Sequence, residues 1–294
     1  MKRRDALKTM GALAGAAAVP KLLGGCSSDE AAGPVGVTTL VTVMMENRSY
    51  DHYMGARSFI EGLPGDGFTS AMSNPNYADE IIAPYRETTL ALAQDPAHGW
   101  TTSHRQWNLG ANDGFVKVHQ DQFGNGIKPH PMGYLGREEL PFLYAMADAG
   151  SSCDRWFSSV MGPTWPNRMY LLSGQSNGRI NNDFPEGGGF EWPTIFHVLD
   201  VAGIDWAYYF NDLPFVPLWK GLETKGRVKR FFPEFFTDAE NGTLPPVVFV
   251  DPDVSSNDDH PPQHPMLGQQ FLASVYAALA ATPPWKNIRV TMAD

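Results

Sequence analysis

TTLVTVMMENRSYDHYMG, residues 38–55, joins an apolar run to a cluster of polar side chains. Its first part, residues 38–43, is rich in β-branched residues and predicts a strand buried on both faces of a parallel sheet. Glu46 and Asn47 come at the carboxyl end of that strand, where open α/β sheets place their active sites. Their hard oxygen atoms predict a divalent metal site. An ordinary strand-to-helix turn, with Asn47 or Ser49 as its N-cap, is the alternative.

The segment ENRSYDHYMG, which begins at Glu46, resembles the N-terminal signature of the bacterial phosphoesterase family. That family holds phospholipases C and a related acid phosphatase, and it belongs to the alkaline-phosphatase-like superfamily. The resemblance implies a divalent metal ion held partly by Glu46 and Asn47. The sequence leaves open whether this cofactor is of the Zn, Ca or Mg class.

A second polar block, SSVMGPTWPNRMYLLSG, occupies residues 158–174. Pro166 suits an early helix position, which places Thr164 at or just before a helix N-terminus, where free N–H groups and the helix dipole stabilise an anion. A plain N-cap role for Thr164 is the alternative. The segment GPTWPNR is similar to the family segment that carries the Ser or Thr nucleophile. That resemblance implies Thr164 as nucleophile and metal ligand, with Asn167 and Arg168 as substrate-binding groups.

Two further blocks contribute histidines. DPAHGWTTSHRQWN contains His98 and His104 and resembles a family segment that follows a Pro-rich turn, so one or both are expected to contact the substrate phosphate. NDDHPP follows a second apolar strand and resembles a family block whose His lies in the active site. That resemblance nominates His260 as catalytic and Asp259 as substrate-binding, with Asp258 beside them.

The N-terminal region resembles an export signal and is excluded from the fold. Residues 1–25 carry adjacent arginines, as in the twin-arginine signal, and an apolar stretch too short to span a bilayer. LLGGC resembles a lipobox, which implies acylation of Cys26, a tether over residues 26–36, and an exported, lipid-anchored protein of the periplasm or cell surface that uses the twin-arginine export machinery. If Cys26 is instead free, a bridge to Cys153 becomes possible.

Charge and motif content exclude some function classes. The 294 residues contain 22 Lys and Arg against 32 Asp and Glu, for a formal net charge of −10. This acidic balance argues against nucleic-acid binding, although a bound cation still permits an anionic substrate. The Gly-x-Ser-x-Gly pattern at residues 174–178 follows a predicted helix and not a strand, so an ordinary serine hydrolase is not expected.

The order of helical and strand patterns predicts the fold class. Helices are expected over 137–150, 192–203 and 268–281, and strands over 204–210, 246–250 and 285–294. This alternation predicts an α/β protein, a three-layer α/β/α sandwich around a mainly parallel sheet. The catalytic domain is expected over residues 37–294 with its C-terminal part missing, because family members continue the last strand into Tyr-Asp-Glu-His-Gly-Gly.

The leading hypothesis is a metal-dependent, phospholipase-C-like phosphoesterase that hydrolyses phospholipid phosphodiesters through Thr164. Two alternatives remain. One is a phosphomonoesterase of the acid-phosphatase type. The other is an inactive, truncated remnant, in which Asp294 stands where the family has further metal ligands.

Overall fold

A computed structural model describes residues 36–222 and 226–293. The chain divides into a unit of residues 1–37 and a unit of residues 38–294, and the second carries every element given below. The predicted signal peptide, Cys26, all but the last residue of the tether, and Asp294 lie outside the described residues.

Strands and helices alternate through the second unit. The strands are β1 Thr39–Met44, β2 Asn74–Pro75, β3 Ile81–Ile82, β4 Tyr85–Arg86, β5 Gly133–Tyr134, β6 Trp206–Phe210, β7 Val228–Arg230, β8 Val247–Val250 and β9 Ile288–Ala293. The helices are α1 Tyr50–Tyr53, α2 Gly55–Phe59, α3 Trp100–Trp107, α4 Phe115–Phe123, α5 Pro141–Ala149, α6 Thr164–Ser173, α7 Ile195–Ala202, α8 Phe236–Glu240 and α9 Pro265–Ala281. Short 3₁₀ or π turns cover Asn108–Gly110, His130–Met132, Glu186–Gly188, Val216–Leu218, Phe231–Phe235 and Trp285–Asn287.

The main sheet has the strand order β7-β6-β8-β1-β9, and each neighbouring pair is parallel. Val41 of β1 lies between Val248 of β8 and Val290 of β9. Because parallel strands end at the same edge of a sheet, the loops that follow β1 and β8 leave the sheet side by side. That edge is where the polar residues of both loops gather.

Helices cover both faces of this sheet, as the alternation along β6 shows. Ala207 and Tyr209 pack in one apolar cluster with α9. Trp206 and Tyr208 point the other way, into a cluster with residues of α6 and α7. Since successive side chains of a strand face opposite sides, the sheet is the middle of three layers. The predicted three-layer α/β/α fold is confirmed.

Burial of β1 on both faces, however, is a wrong prediction. Val41 and Val43 lie under α9 and are at most 1% exposed, whereas Leu40, on the opposite face, is 51% exposed. The helical cluster on that second face is built over β6 and β8. The apolar run therefore predicted the strand correctly, but it could not reveal how far the covering helices reach.

Residues 60–140 form an excursion away from the main sheet, and its interior holds charged groups. Glu87 is buried and accepts hydrogen bonds from Lys128 Nζ at 2.5 Å and His130 Nδ1 at 2.8 Å. Burial alone would raise the pKa of Glu87, but these donors and the Thr89 N–H outweigh it and lower the pKa to about 2. His119 of α4 lies beside His130, with ring centroids 5.9 Å apart.

Candidate active site

Thr164 and Glu46, which are 118 positions apart in sequence, touch at the carboxyl edge of the sheet. The backbone N–H of Glu46 donates to the Asp258 carbonyl at 2.8 Å, which joins the loop after β1 to the loop after β8. Thr164 is the first residue of α6, and its hydroxyl donates a hydrogen bond to Glu46 Oε1. Pro163 occupies the cap position, so Thr164 is free of the plain N-cap role. Both are site residues predicted from the sequence, and the structure brings them into contact.

Asn167 shapes the loop that leads into Thr164. Its Oδ1 accepts from the Val160 N–H at 3.1 Å, and its Nδ2 donates to the Pro163 carbonyl at 3.1 Å. Nδ2 is also within hydrogen-bonding distance of the Val160 and Gly162 carbonyls. One amide side chain thus closes the turn over residues 160–163 and sets the approach to the helix.

Arg168 joins α6 to the ends of three strands. Its Nη1 donates to Asp251 Oδ1 at 2.9 Å, and its Nη2 donates to the Met44 carbonyl at 3.3 Å. Tyr208 donates to Asp251 Oδ2 at 2.5 Å. Arg168 is 6% exposed, so this is a buried, charge-assisted network. It fixes the helix that carries Thr164 against β1, β6 and β8.

Asn47 points into the excursion. It adopts a left-handed backbone with φ of 63°, which asparagine tolerates better than most residues. Its Nδ2 donates to Asp95 Oδ1 at 3.3 Å and lies 3.1 Å from His98 Nδ1. His98 Nδ1 also lies 2.9 Å from the Pro96 carbonyl. The loop over residues 95–98 is thereby drawn to the end of β1.

His260 completes a three-residue cluster with Asp95 and His98. Its Nε2 lies 3.4 Å from His98 Nε2 and 3.6 Å from Asp95 Oδ2. All three offer a ligand atom within 4.8 Å of one another, and all are half-buried. Among residues 36–222 and 226–293, this is the one group of three such donors close enough to hold a metal ion.

Two carboxyl groups of the loop after β8 have raised pKa values. Burial and the neighbouring Glu46 raise the pKa of Asp258 to about 7. Asp259 has a pKa of about 7, raised by burial and opposed by Arg48. The proximity of Asp258 to Glu46 fits a site that a cation neutralises, so Glu46 and Thr164 suit a divalent metal ion.

Arg48 holds the loop that carries His260. Its Nε donates to the Asp259 carbonyl at 2.7 Å, and its Nη2 donates to the Gln263 carbonyl at 3.1 Å. The Asp259 carboxylate turns the other way, towards Gly268, where an added Cβ would meet Oδ1 at 1.9 Å. The small Gly268 therefore makes room for a buried carboxylate beneath the loop.

His104 lies apart from these clusters. Its Nδ1 is 2.7 Å from the Trp100 carbonyl one turn earlier on α3. A cavity of about 420 Å³ is lined by the loop before α3 and by residues of α3 and α4, among them Asp95, His98, Arg105 and Asp121. Of the two histidines that the sequence could not separate, the structure places His98 in the cluster.

Comparison with known proteins identifies the family of the chain. A family model described as the phosphoesterase family matches residues 37–292. The chain belongs to the phosphoesterase family. It is 31% identical over 281 residues to "Non-specific phospholipase C1" of Arabidopsis thaliana, covering 87% of this chain and 51% of that protein. It is 31% identical over 261 residues to "Phospholipase C B" of Mycobacterium tuberculosis, covering 72% of this chain and 49% of that protein.

A third relative is "Hemolytic phospholipase C" of Pseudomonas aeruginosa, 33% identical over 193 residues, which cover 59% of this chain and 25% of that protein. The chain therefore spans about half the length, or less, of these relatives. The predicted family membership is confirmed.

Sequence reasoning missed Asp95 as a site residue. Its signal was the spacing Asp95-Pro96-Ala97-His98, which puts a carboxylate three positions before an imidazole. The partner His260 lies 162 positions from His98, so only the folded chain shows the cluster. Cys153 is exposed and has no disulfide partner among the described residues. No helix within the described ranges has both the length and the apolar character to cross a bilayer.

Proposed function

We propose that this chain is a metal-dependent, phospholipase-C-like phosphoesterase that hydrolyses phosphodiester bonds of phospholipids. The contact between Thr164 and Glu46 at the carboxyl edge of the sheet carries this proposal. It places a hydroxyl nucleophile and a hard oxygen ligand together, as phosphoryl transfer requires. The names of the relatives support the substrate class.

Glu46, Asn47 and Thr164 would hold the divalent ion in this proposal, with Asn47 binding through its side-chain oxygen because its Nδ2 contacts Asp95 and His98. When bound, the ion supplies a Lewis acid that polarises a phosphoryl oxygen and favours the deprotonated Thr164 hydroxyl. Glu46 accepts the hydrogen bond of that hydroxyl and fixes where Oγ1 points. Asp258, crowded against Glu46, shares the acidic environment that favours cation binding.

The remaining residues orient the substrate and the helix. His260 and His98 face the same edge and present imidazole nitrogens to the phosphate or its leaving group. Asn167 and Arg168, predicted as substrate-binding, are engaged with the loop before α6 and with Asp251, so in this proposal they position Thr164. His104 and the Asp259 carboxylate are assigned no contact with the reacting atoms.

Export and lipid anchoring are part of the same proposal. The twin-arginine and lipobox resemblances of residues 1–26 support transport by the twin-arginine machinery and attachment to a membrane through Cys26. Metabolic labelling with a palmitate analogue checks this. Label on the wild type that is absent from Cys26→Ala supports the anchor, and equal label on both proteins contradicts it.

The test of the reaction compares Thr164→Ala with Thr164→Ser. Hydrolysis of p-nitrophenyl phosphorylcholine and p-nitrophenyl phosphate is measured for the full chain, with and without added Zn²⁺, Ca²⁺ or Mg²⁺. We expect metal-dependent turnover of the diester that falls at least about 1,000-fold in Thr164→Ala, because the attacking oxygen is removed. Thr164→Ser keeps a hydroxyl and should retain measurable turnover.

Thr101→Ala serves as the matched control, because Thr101 is an exposed threonine at the start of α3. Turnover that survives in Thr164→Ala would remove Thr164 as nucleophile. Faster hydrolysis of the monoester than of the diester would favour the acid-phosphatase alternative. Absence of turnover from folded wild-type protein with every metal would contradict the proposed function of this chain.

A further inference from the structure

The cluster of Asp95, His98 and His260 differs in chemistry from the neighbouring contact of Glu46 with Thr164. The first offers two imidazole nitrogens and one carboxylate, and the second offers oxygen atoms alone. Imidazole suits zinc and similar transition metals, whereas Mg²⁺ and Ca²⁺ prefer oxygen ligands. One edge of the sheet thus presents two donor sets of different softness.

We propose that Asp95, His98 and His260 form a second cation site, selective for Zn²⁺-class metals and separate from the oxygen donors at Thr164. This site goes beyond the proposed hydrolysis, and its existence does not depend on turnover. Three protein ligands leave one position of a tetrahedral ion for water or a phosphate oxygen, so with Zn²⁺ bound His98 and His260 would reach the phosphate through the ion and not directly.

The spacing of the donors fits a tetrahedral ion. With metal–ligand bonds of about 2.0–2.2 Å, a tetrahedral zinc ion has ligand–ligand edges of about 3.3–3.6 Å. The two observed edges are 3.4 Å between the Nε2 atoms of His98 and His260, and 3.6 Å between His260 Nε2 and Asp95 Oδ2. Both values match one shared ion. The third pair, His98 and Asp95, approaches most closely through Nδ1 and Oδ1, at 3.5 Å, and the three donor atoms lie within 4.8 Å of one another.

Outer contacts orient two of the three ligands. A proton on His98 Nδ1 can be donated to the Pro96 carbonyl at 2.9 Å, which leaves Nε2 with its lone pair towards His260. Histidine ligands of zinc commonly use the second ring nitrogen in this way. Asn47 Nδ2 donates to Asp95 Oδ1 at 3.3 Å and leaves Oδ2 directed at His260. The site is therefore preorganised by its surroundings.

The experiment measures metal binding directly in the full chain. Protein stripped by a chelator is titrated with Zn²⁺ in competition with a chromophoric chelator, and in parallel with Co²⁺, whose visible absorption reports coordination geometry. We expect one tight Zn²⁺ whose affinity falls at least about 100-fold in His98→Ala, His260→Ala and Asp95→Asn, since even outer contacts of metal ligands contribute 10–100-fold. Bound Co²⁺ should give the intense spectrum of a tetrahedral N/O site.

His104→Ala is the matched control, because it removes another half-buried histidine of the same segment that lies outside the cluster. Glu46→Gln tests separateness and should change Zn²⁺ affinity by less than about tenfold, as the loss of a nearby charge rather than of a ligand. Melting temperatures in chelator confirm that each variant folds.

Three outcomes overturn the proposal: no tight Zn²⁺ in the wild type, Zn²⁺ affinity unchanged in the cluster variants, or equal losses in His104→Ala. Abolition of Zn²⁺ binding by Glu46→Gln would instead show a single shared site and would overturn separateness. Loss of p-nitrophenyl ester turnover in Thr164→Ala with Zn²⁺ binding intact would support both proposals at once. Metal binding without any turnover would contradict the hydrolysis alone.

Discussion

Different kinds of residues stabilise the two sides of the site. The strand-end side, which carries Glu46 and Thr164, is attached to the main sheet and tied by the buried pair of Arg168 and Asp251. The excursion side, which carries Asp95 and His98, rests on a segment whose interior holds Glu87 and buried histidines. A permanently charged arginine fixes the first side, whereas buried histidines lie in the interior of the second. The difference predicts that the two sides respond to different perturbations.

The largest loss of stability is expected on the strand-end side when its arginine, Arg168, is removed. Arg168→Ala leaves Asp251 buried without its charged partner, and we expect a loss of about 3–5 kcal/mol in the free energy of unfolding. Urea unfolding monitored by circular dichroism measures it. Arg105→Ala is the control, since the pair of Arg105 with Asp121 is exposed and should contribute at most about 1 kcal/mol. Equal losses in the two variants would contradict the comparison.

The same contrast explains what could be predicted from the sequence. The polar residues of the strand-end side directly follow apolar runs with strand periodicity, so Glu46 was located from the pattern of the chain, and the family segment then named Thr164. Asp95 lies in an irregular loop without periodicity, and its partner His260 is distant in sequence. Loops take their positions from tertiary contacts, which one sequence does not display.

A similar limit applies to single residues on the strand-end side. Arg168 is named by the family segment, but its pairing with Asp251 depends on how α6 meets the sheet. The open face of β1 at Leu40 likewise depends on how far α6 and α7 extend over the sheet. The three-layer fold follows from alternating patterns, whereas these contacts follow from packing between distant elements.

Acidic pH should destabilise the excursion side before the strand-end side. His119 is 1% exposed, and burial together with His130 lowers its pKa to about 4, against 6.5 for an ordinary histidine. The unfolded chain therefore takes up this proton first as the pH falls. The contribution of neutral His119 to the free energy of unfolding is complete above pH 6.5. It is lost as the pH falls towards 4, and the loss is about 3 kcal/mol at most.

Urea unfolding at pH 7 and pH 5 measures this slope, and amide exchange locates it. We expect faster exchange in α4 at pH 5 while β1 and β8 stay protected. His119→Gln should flatten the pH dependence, and His104→Gln should leave it unchanged. His52, whose pKa burial also lowers to about 4, adds to the wild-type slope. Asp258 and Asp259, whose pKa values burial raises to about 7, act in the opposite direction, so the test is the difference between the wild type and His119→Gln. A difference in the free energy of unfolding that is the same at pH 7 and pH 5 would contradict the predicted titration of His119.

The smallest effects should come from two amide side chains that play the same part on opposite sides. Asn167 donates to the Pro163 carbonyl next to Thr164, and Gln106 Nε2 donates to the Ala97 carbonyl between Asp95 and His98 at 2.6 Å. Each substitution by alanine removes the hydrogen bonds that hold a loop and should lower the free energy of unfolding by about 1–2 kcal/mol.

Their functional readouts should differ although their stability losses are similar. Asn167→Ala shifts the loop before Thr164, so ester hydrolysis should fall while Zn²⁺ affinity changes little. Gln106→Ala loosens the loop that carries Asp95 and His98, so Zn²⁺ affinity should fall by about 10-fold, the lower end of the range for outer contacts of metal ligands. Because Asn167 and Gln106 hold separate loops, the stability loss of the double variant should equal the sum of the two single losses within about 0.5 kcal/mol. Marked non-additivity, or the same readout from both single variants, would show that the two sides behave as one unit.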